Sequence, residues 1–377
     1  MRITSVEPFP VSTDHSSYLF VRVQTDAGRA GIGEAGLTSQ ELVVAEAVNY
    51  LAPLLIGQDA TRIGHLWQVM FRSAFFPADR VMCAAISAID IALWDLRGQA
   101  LGVPVYDLLG GRVRDRVVCY PHVQGRTMEE TVANARRHVD EGWKFVRFDL
   151  EPRGEVLEPP LAVQDAIPYF AAIREAVGPE IGMCLDIHTR LDTADTIALC
   201  RALEPYRPYF LEDPLRSENP GSFRTLARHV STPLAAGEQF ATKWAFRELI
   251  EEELIRYARV DLCVVGGITE ARKIAGWCET HYIQMAPHSP VGPVSTAACL
   301  HLDLATPNFG VQELAHVPGT MLADLFPVQV SFEAGHLLPP TRPGLGVVFD
   351  AAAAAAHPYQ PGHLPRLRRA DGSFTNW

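Results

Sequence analysis

The strongest constraint on the fold of this chain is a beat in its sequence. Short apolar runs, each closed by a polar or charged residue, recur about every 25 residues between His122 and Glu313. Ile-Gly-Met-Cys-Leu precedes Asp186, Pro-Tyr-Phe-Leu precedes Glu212 and Pro-Leu-Ala-Ala-Gly precedes Glu238, so both intervals are 26 residues. One strand, one helix and two short loops fill that length, which makes it one βα unit of a parallel barrel. Downstream the beat reaches Asp261, His288 and Glu313 at intervals of 23, 27 and 25; upstream it reaches Arg147, with Asp149 on the same strand face, and His122. The longer gap between Arg147 and Asp186 contains a Pro- and Glu-rich stretch, 151–160, that reads as an inserted loop. His122, Arg147, Asp186, Glu212, Glu238, Asp261, His288 and Glu313 thus make eight polar strand ends. The expected fold is α/β, a modified (β/α)8-type TIM barrel with its chemistry on the C-terminal face.

The residues before the beat follow another pattern. Alternation over Ile3–Val11, Tyr18–Gln24 and Ala30–Glu34, with a turn at Thr25-Asp-Ala-Gly28, predicts an antiparallel meander. Helical periodicity follows at 39–55, 63–71 and 81–99, so an N-terminal α+β capping domain is expected over 1–115 and the barrel over 116–329. Within the barrel, Thr127-Met-Glu-Glu130 has capping-box spacing, and helices are expected to 142 and at 163–177, 193–203, 219–230, 242–254, 268–281 and 293–304. The tail, 330–377, contains no further βα unit and is expected to return to the capping domain and complete it. A doubly wound sheet offers no reason for eight polar ends at such even spacing, and no Gly-rich phosphate loop follows a first strand.

Bulk composition narrows the function classes. A net charge of −11 argues against nucleic-acid binding, which depends on clustered Lys and Arg. There is no apolar run of membrane-spanning length and no signal-peptide pattern, so no membrane partner is expected and the default location is cytoplasmic. Seven scattered cysteines, without a CxxC pair, read as small buried residues of a reducing compartment. A homo-oligomer is expected from the prevalence of symmetric assemblies.

Three acids on one rim repel each other by roughly 4 kcal/mol per pair at 4 Å and an effective dielectric near 20. Asp186, Glu212 and Glu238 therefore read as ligands of a divalent cation, and an all-oxygen set favours Mg2+ over zinc. Each acid taken alone would more simply be a helix cap or an ion-pair partner. His188 lies two residues beyond Asp186 and shares its strand face. Asp261, on the strand next to His288, can accept one imidazole N–H and raise the basicity of the other nitrogen. A metal, one or two histidines and a further acid suit proton abstraction beside a carboxylate, which forms an enediolate.

Beyond this inventory, Ala85-Ile-Ser-Ala-Ile-Asp-Ile-Ala-Leu-Trp-Asp-Leu-Arg-Gly98 and Pro104-Val-Tyr-Asp-Leu-Leu-Gly-Gly111 resemble the mandelate racemase branch of the enolase superfamily. Leu185-Asp-Ile-His-Thr-Arg190, Phe210-Leu-Glu-Asp-Pro214, Val265-Gly-Gly-Ile-Thr-Glu270 and Ala286-Pro-His-Ser-Pro-Val-Gly-Pro293 look most like its galactonate and mannonate dehydratases. The resemblance implies Mg2+-dependent dehydration of an aldonate to a 2-keto-3-deoxy acid, a carbon–oxygen lyase reaction. His288 paired with Asp261 would be the base, and His188 the acid that protonates the departing 3-hydroxyl. Glu313, protonated, would hydrogen-bond the enediolate oxygen. Racemases of the branch carry Lys-x-Lys where this chain has Arg147-Phe-Asp149, and neither an arginine nor an aspartate serves as a second base. Epimerisation or racemisation is therefore the alternative reaction, with a non-catalytic binding protein further behind. Asp149 stands where the similar dehydratases carry an amide. Asp149, Arg147, His122 and, on the polar tip of the first hairpin, His15 are the substrate-binding candidates.

Overall fold

A computed structural model describes residues 1–14, 16–362 and 364–375. Its first layer is the predicted meander: β1 (Ile3–Ser12), β2 (Ser17–Thr25) and β3 (Ala30–Ala35) pair antiparallel in that order. Gly28 closes the turn at φ 69°, its N–H donating to the Thr25 carbonyl, a left-handed position that suits glycine. Helices α1 (Glu41–Leu55), α2 (Ile63–Arg72) and α3 (Arg80–Leu101) cover this sheet, and the short α4 (Val105–Leu108) follows. Most of α3 is buried, on every side, because β3 lies on one flank and a later helix on the other.

Parallel strands then alternate with helices: β4 (Val117–Tyr120), α5 (Met128–Asp140), β5 (Phe145–Asp149), α6 (Pro159–Val177), β6 (Gly182–Asp186) and α7 (Thr193–Leu203). Next come β7 (Phe210–Glu212), α8 (Phe223–Ala227), β8 (Leu234–Ala236), α9 (Arg247–Glu251) and β9 (Tyr257–Ala258). The series ends with α10 (Gly267–Thr280), β10 (Gln284–Met285), α11 (Pro293–Ala305) and β11 (Gln312–Glu313). Strands β5 to β10 form one parallel sheet in chain order. Parallel bridges join His122 to Arg147 and Met285 to Phe309, while β11 pairs parallel with β4.

The expected start of α5 is present, with Thr127 Oγ1 accepting the Glu130 N–H. Helices α8 and α9 are much shorter than their periodicity predicts. Pro220-Gly-Ser222 forms a 3-10 turn ahead of α8. Ahead of α9, the chain turns at Thr242–Phe246, where Lys243 lies over the Trp244 ring and pairs with the buried Glu270. Tertiary partners have overridden helical propensity at that point.

The tail divides its contacts. Strands β12 (Ser331–Glu333) and β13 (His336–Leu338) form a hairpin on the open edge of β4. Residues 344–360 meet the N-terminal unit, through Leu345 N–H to Asp95 and a Val11–Pro358 bridge. The stretch around Arg368 pairs with the loop at Val156 instead. Among the described residues the tail thus divides between the N-terminal unit, β4 and the 151–158 loop. All seven cysteines are buried and unpaired. Among the described residues, no helix is long and apolar enough to cross a membrane.

Candidate active site

One layer of side chains fills the space between the parallel strands, and the site stands on it. Tyr120, Cys184, Phe210, Tyr257, Ala286 and Val311 cluster there. Two residues further along each strand come His122, Asp186, Glu212, Arg259, His288 and Glu313. Strand period two carries each of these onto the same inner face, one step nearer the C-terminal ends.

Asp186, Glu212 and Glu238 converge, each offering an oxygen within 4.8 Å of the others. Glu212 Oε2 and Glu238 Oε2 are buried and have no hydrogen-bond partner. Burial pushes both carboxyls well above the usual carboxylate range, with Asp186 adding to the effect at Glu212 and Asp213 at Glu238. Buried oxygens that lack donors and raise one another's pKa fit a hard divalent cation.

His288 and Asp261 are in contact: His288 Nδ1 lies 2.7 Å from Asp261 Oδ2, and Nε2 lies 3.4 Å from Glu238 Oε2. With Nδ1–H donating to Asp261, Nε2 is the nitrogen left to face the carboxylates. Burial alone would lower the pKa of His288, but Glu238, Glu313 and Asp261 outweigh it and carry it up to about 10.

His188 Nε2 lies 3.1 Å from Asp186 Oδ2, and its Nδ1 lies 3.6 Å from Asp149 Oδ1. His188 and Thr189 both have left-handed backbone, φ 51° and 54°. Two successive non-glycine residues in that region cost about 1–3 kcal/mol each, the kind of strain that collects at functional sites. Burial pushes the His188 imidazole down, and nearby Arg147 also lowers it while Asp186 opposes.

Several candidates are engaged with neighbouring side chains. Arg147 is buried between two carboxylates, with Nη1 2.5 Å from Asp149 Oδ1 and Nη2 on Asp186. It is engaged as an ion-pair partner of both. The resemblance implied a protonated hydrogen-bond donor at Glu313. Its Oε1 lies 2.6 Å from His122 Nε2, and its Oε2 accepts from Arg259 Nη2 at 2.6 Å and from the Ser289 N–H at 2.8 Å. Burial alone would raise the Glu313 carboxyl, but Arg259, His288 and His122 hold it well below the usual range. Both Glu313 oxygens are thus engaged by neighbouring groups, with the His122 imidazole at Oε1. His15 lies outside the described residues.

The sequence reading missed Arg259. The residue is fully buried, donates Nε–H to Glu212 Oε1 and caps the Ala286 and Pro287 carbonyls at 2.7 and 2.9 Å. One guanidinium thus ties a metal-ligand candidate, Glu313 and the strand leading into His288. Its signal was available, since Tyr257, Arg259 and Asp261 alternate at period two. Asp213, also missed, is buried at φ 38° and is pushed up to about 8 by burial and by Asp186 and Glu212. Beside Asp149, a groove of about 960 Å³ runs outward past Gln124, Glu151, Arg153 and Tyr169.

Comparison with known proteins places the chain in a family. Residues 4–110 match the N-terminal domain of mandelate racemase / muconate lactonizing enzyme, and residues 130–353 match the enolase C-terminal domain-like family. A D-galactonate dehydratase family member from Streptomyces bingchenggensis is 38% identical, over 97% of this chain and 96% of its own. The D-mannonate dehydratase of Rhizorhabdus wittichii is 35% identical over the full length of both. An enolase from Pantoea ananatis, crystallised with D-gluconate and Mg, superposes with a TM-score of 0.93 at 32% identity, covering 100% of this chain and 99% of that one. Over such lengths and identities the relation is one of common descent, and the chain belongs to the enolase superfamily, in its mandelate racemase and muconate lactonizing enzyme branch.

Proposed function

We propose that this protein is an Mg2+-dependent acid-sugar dehydratase that converts an aldonate to a 2-keto-3-deoxy acid. We further infer that β4 to β11 close into a (β/α)8 barrel; the His122–Arg147 and Met285–Phe309 bridges and the β11–β4 pairing support closure. The N-terminal domain caps the end of the barrel that bears the site.

The observation that carries the reading is the convergence of three acids beside a His–Asp pair. Asp186, Glu212 and Glu238 would hold the cation. When bound, it would offset their charge and stabilise the two oxygens of an enediolate. His288 Nε2 takes the proton from C2 beside the substrate carboxylate, and the C–H pair becomes the enediolate double bond. Asp261 keeps the ring in the tautomer this needs and stabilises the imidazolium that results. Collapse of the enediolate expels the 3-hydroxyl, which leaves as water with a proton from His188, and the enol tautomerises to the 2-keto product. Glu238, Glu313 and Asp261 all push the His288 imidazole up, so a working base here requires the charge of Glu238 to be offset. His122, anchored by Glu313, is placed to donate to a substrate oxygen. Arg147 separates Asp149 from Asp186 and provides no second base, which supports dehydration over racemisation.

The test uses the Mg2+-loaded enzyme, a panel of stereoisomeric aldonates and heavy water. H288N is expected to abolish both 2-keto-acid formation and C2 exchange. H188Q is expected to slow loss of the 3-hydroxyl more than exchange. Wild-type turnover in both variants would defeat the assignment, as would deuterium entering recovered substrate with inversion and no loss of water.

A further inference from the structure

We propose that Glu34, Ser87 and Asp90, all in the N-terminal domain, are positioning residues that set the geometry of the His288–Asp261 pair. The proposal rests on reading His288 as the base.

Asp261 opens a tight turn that runs into α10. Its Oδ1 accepts the Cys263 N–H at 2.6 Å, and its carbonyl accepts Val264 and Val265 N–H at 3.1 and 2.9 Å. The orientation of Asp261 is therefore decided by where the far end of that turn is held, and α3 holds it. Ser87 Oγ accepts the N–H groups of Gly266 and Gly267 at 2.8 and 3.1 Å while donating to the Cys83 carbonyl. Asp90 accepts the Thr269 N–H at 2.9 Å and its hydroxyl at 2.5 Å. Trp67 Nε1–H donates to the Gly266 carbonyl at 2.9 Å. The middle of the turn is held as well, since the Gly36 N–H, just beyond β3, donates to the Cys263 carbonyl at 2.9 Å.

His288 is held by the other half of the same domain. Four residues beyond it, Gly292 donates its N–H to Glu34 Oε1 at 2.6 Å, and Ser295 donates to Oε2 at 2.8 Å. These are the opening N–H groups of α11, which a carboxylate satisfies well. A Cβ added at Gly292 would lie 2.6 Å from that Glu34 oxygen, so the approach leaves no slack.

The two holds form one body. Gly31 and Gly33 of β3 lie so close to α3 that a Cβ would come within 2.1 and 1.7 Å of the Ala92 and Ala88 carbonyl oxygens. Glu34 is thus fixed relative to Ser87 and Asp90, and with it the loop of His288 relative to the turn of Asp261. All three side chains are fully buried, and apolar residues in their place would leave the N–H groups of Gly266, Gly267, Thr269, Gly292 and Ser295 unpaired, at about 1–3 kcal/mol each.

The experiment compares S87A, D90N and E34Q with wild type as Mg2+-loaded full-length protein. The first readout needs no substrate: the downfield ring N–H proton resonance of the His288–Asp261 hydrogen bond, identified by its absence in D261N. It is expected to broaden or move upfield in all three variants. On an aldonate substrate, C2 exchange is expected to slow at least ten-fold, with KM and Mg2+ affinity within about two-fold of wild type. S87A removes a single acceptor and is the variant that keeps the test alive if the carboxylate variants fold poorly. An unchanged resonance and unchanged exchange in folded S87A, or a loss of Mg2+ affinity that parallels the loss of rate, would overturn the proposal. If the wild type exchanges C2 of no acid sugar, the function reading has failed, and the resonance alone still decides the positioning claim.

Discussion

Replacing Arg259 with Met should give a protein that is less stable, inactive and yet tighter for Mg2+. The guanidinium faces two buried carboxylates, with Glu313 Oε2 at 2.6 Å and Glu212 bonded through Nε. At about 4 Å between charge centres and an effective dielectric near 20, each pair is worth roughly 4 kcal/mol, so about 8 kcal/mol is the ceiling. Removing one partner of a buried pair costs about 3–5 kcal/mol in practice, because the stranded carboxylates take up protons or draw in water. Unfolding entropy of about 2.1 cal/mol/K per residue over 377 residues is roughly 0.8 kcal/mol/K, so the melting temperature of the metal-free protein should fall by about 4–6 °C. Metal affinity should move the opposite way. Arg259 is bonded to Glu212, one of the residues that would hold the cation, so losing its positive charge removes a repulsion and should tighten binding. Activity should nonetheless collapse, since Glu313 loses its anchor and the Ala286 and Pro287 carbonyls ahead of His288 lose their donor. R259K keeps the charge but lacks the fork, so it should recover part of the stability and little of the turnover. Thermal melts with and without Mg2+, calorimetric titration and a 2-keto-acid assay read all three effects. Wild-type stability in the metal-free R259M protein, or weaker Mg2+ binding, would refute the electrostatic account.

Three further outcomes follow from the same structure. Burial pushes Glu34 up to about 8, so the native state binds more protons than the unfolded state between about pH 4.5 and 8, and this group's contribution to stability falls as pH rises through that window. Denaturation at pH 6, 7 and 8 should show E34Q with a flatter slope than wild type, by at most about 1.4 kcal/mol per pH unit, and parallel slopes would exclude the effect. Gly267→Ala should cost at least 1–2 kcal/mol, because φ is 77° and the new Cβ would meet Asp90 Oδ2 at 2.3 Å; a melt matching wild type would contradict it. Stripping divalent cations with a chelator should abolish dehydration and lower the melting temperature, and Mg2+ should restore both; turnover that survives chelation would remove the metal from the reaction.

The site was legible in the sequence wherever a residue ended a strand. Asp186 and Glu212 are the last residues of β6 and β7, and Glu238, Asp261 and His288 follow β8, β9 and β10 by two or three residues. Strand spacing placed them on one face without any knowledge of tertiary contacts. Arg259 lies one alternation earlier, inside an apolar run, where a reading that records only the last polar residue passes over it. The surroundings of Glu313 were not legible at all. Whether that carboxyl donates or accepts depends on three donors, from His122, Arg259 and Ser289, which are 191, 54 and 24 residues away.

The links between the two domains were half visible. Ser87, Asp90 and Trp94 form a stripe at spacings of three and four along α3, a helix otherwise buried in apolar surroundings. Polar groups in such a stripe cannot be left unpaired, because each would cost about 1–3 kcal/mol, so the stripe alone requires a polar partner outside the helix. What the stripe cannot say is which segment supplies the partner, since Gly266, Gly267 and Thr269 are about 180 residues away in sequence. A family-signature helix reads most naturally as packing. Here its polar members instead hold the turn that begins at Asp261, so a helix in the first domain is joined by hydrogen bonds to the segment that carries the partner of His288.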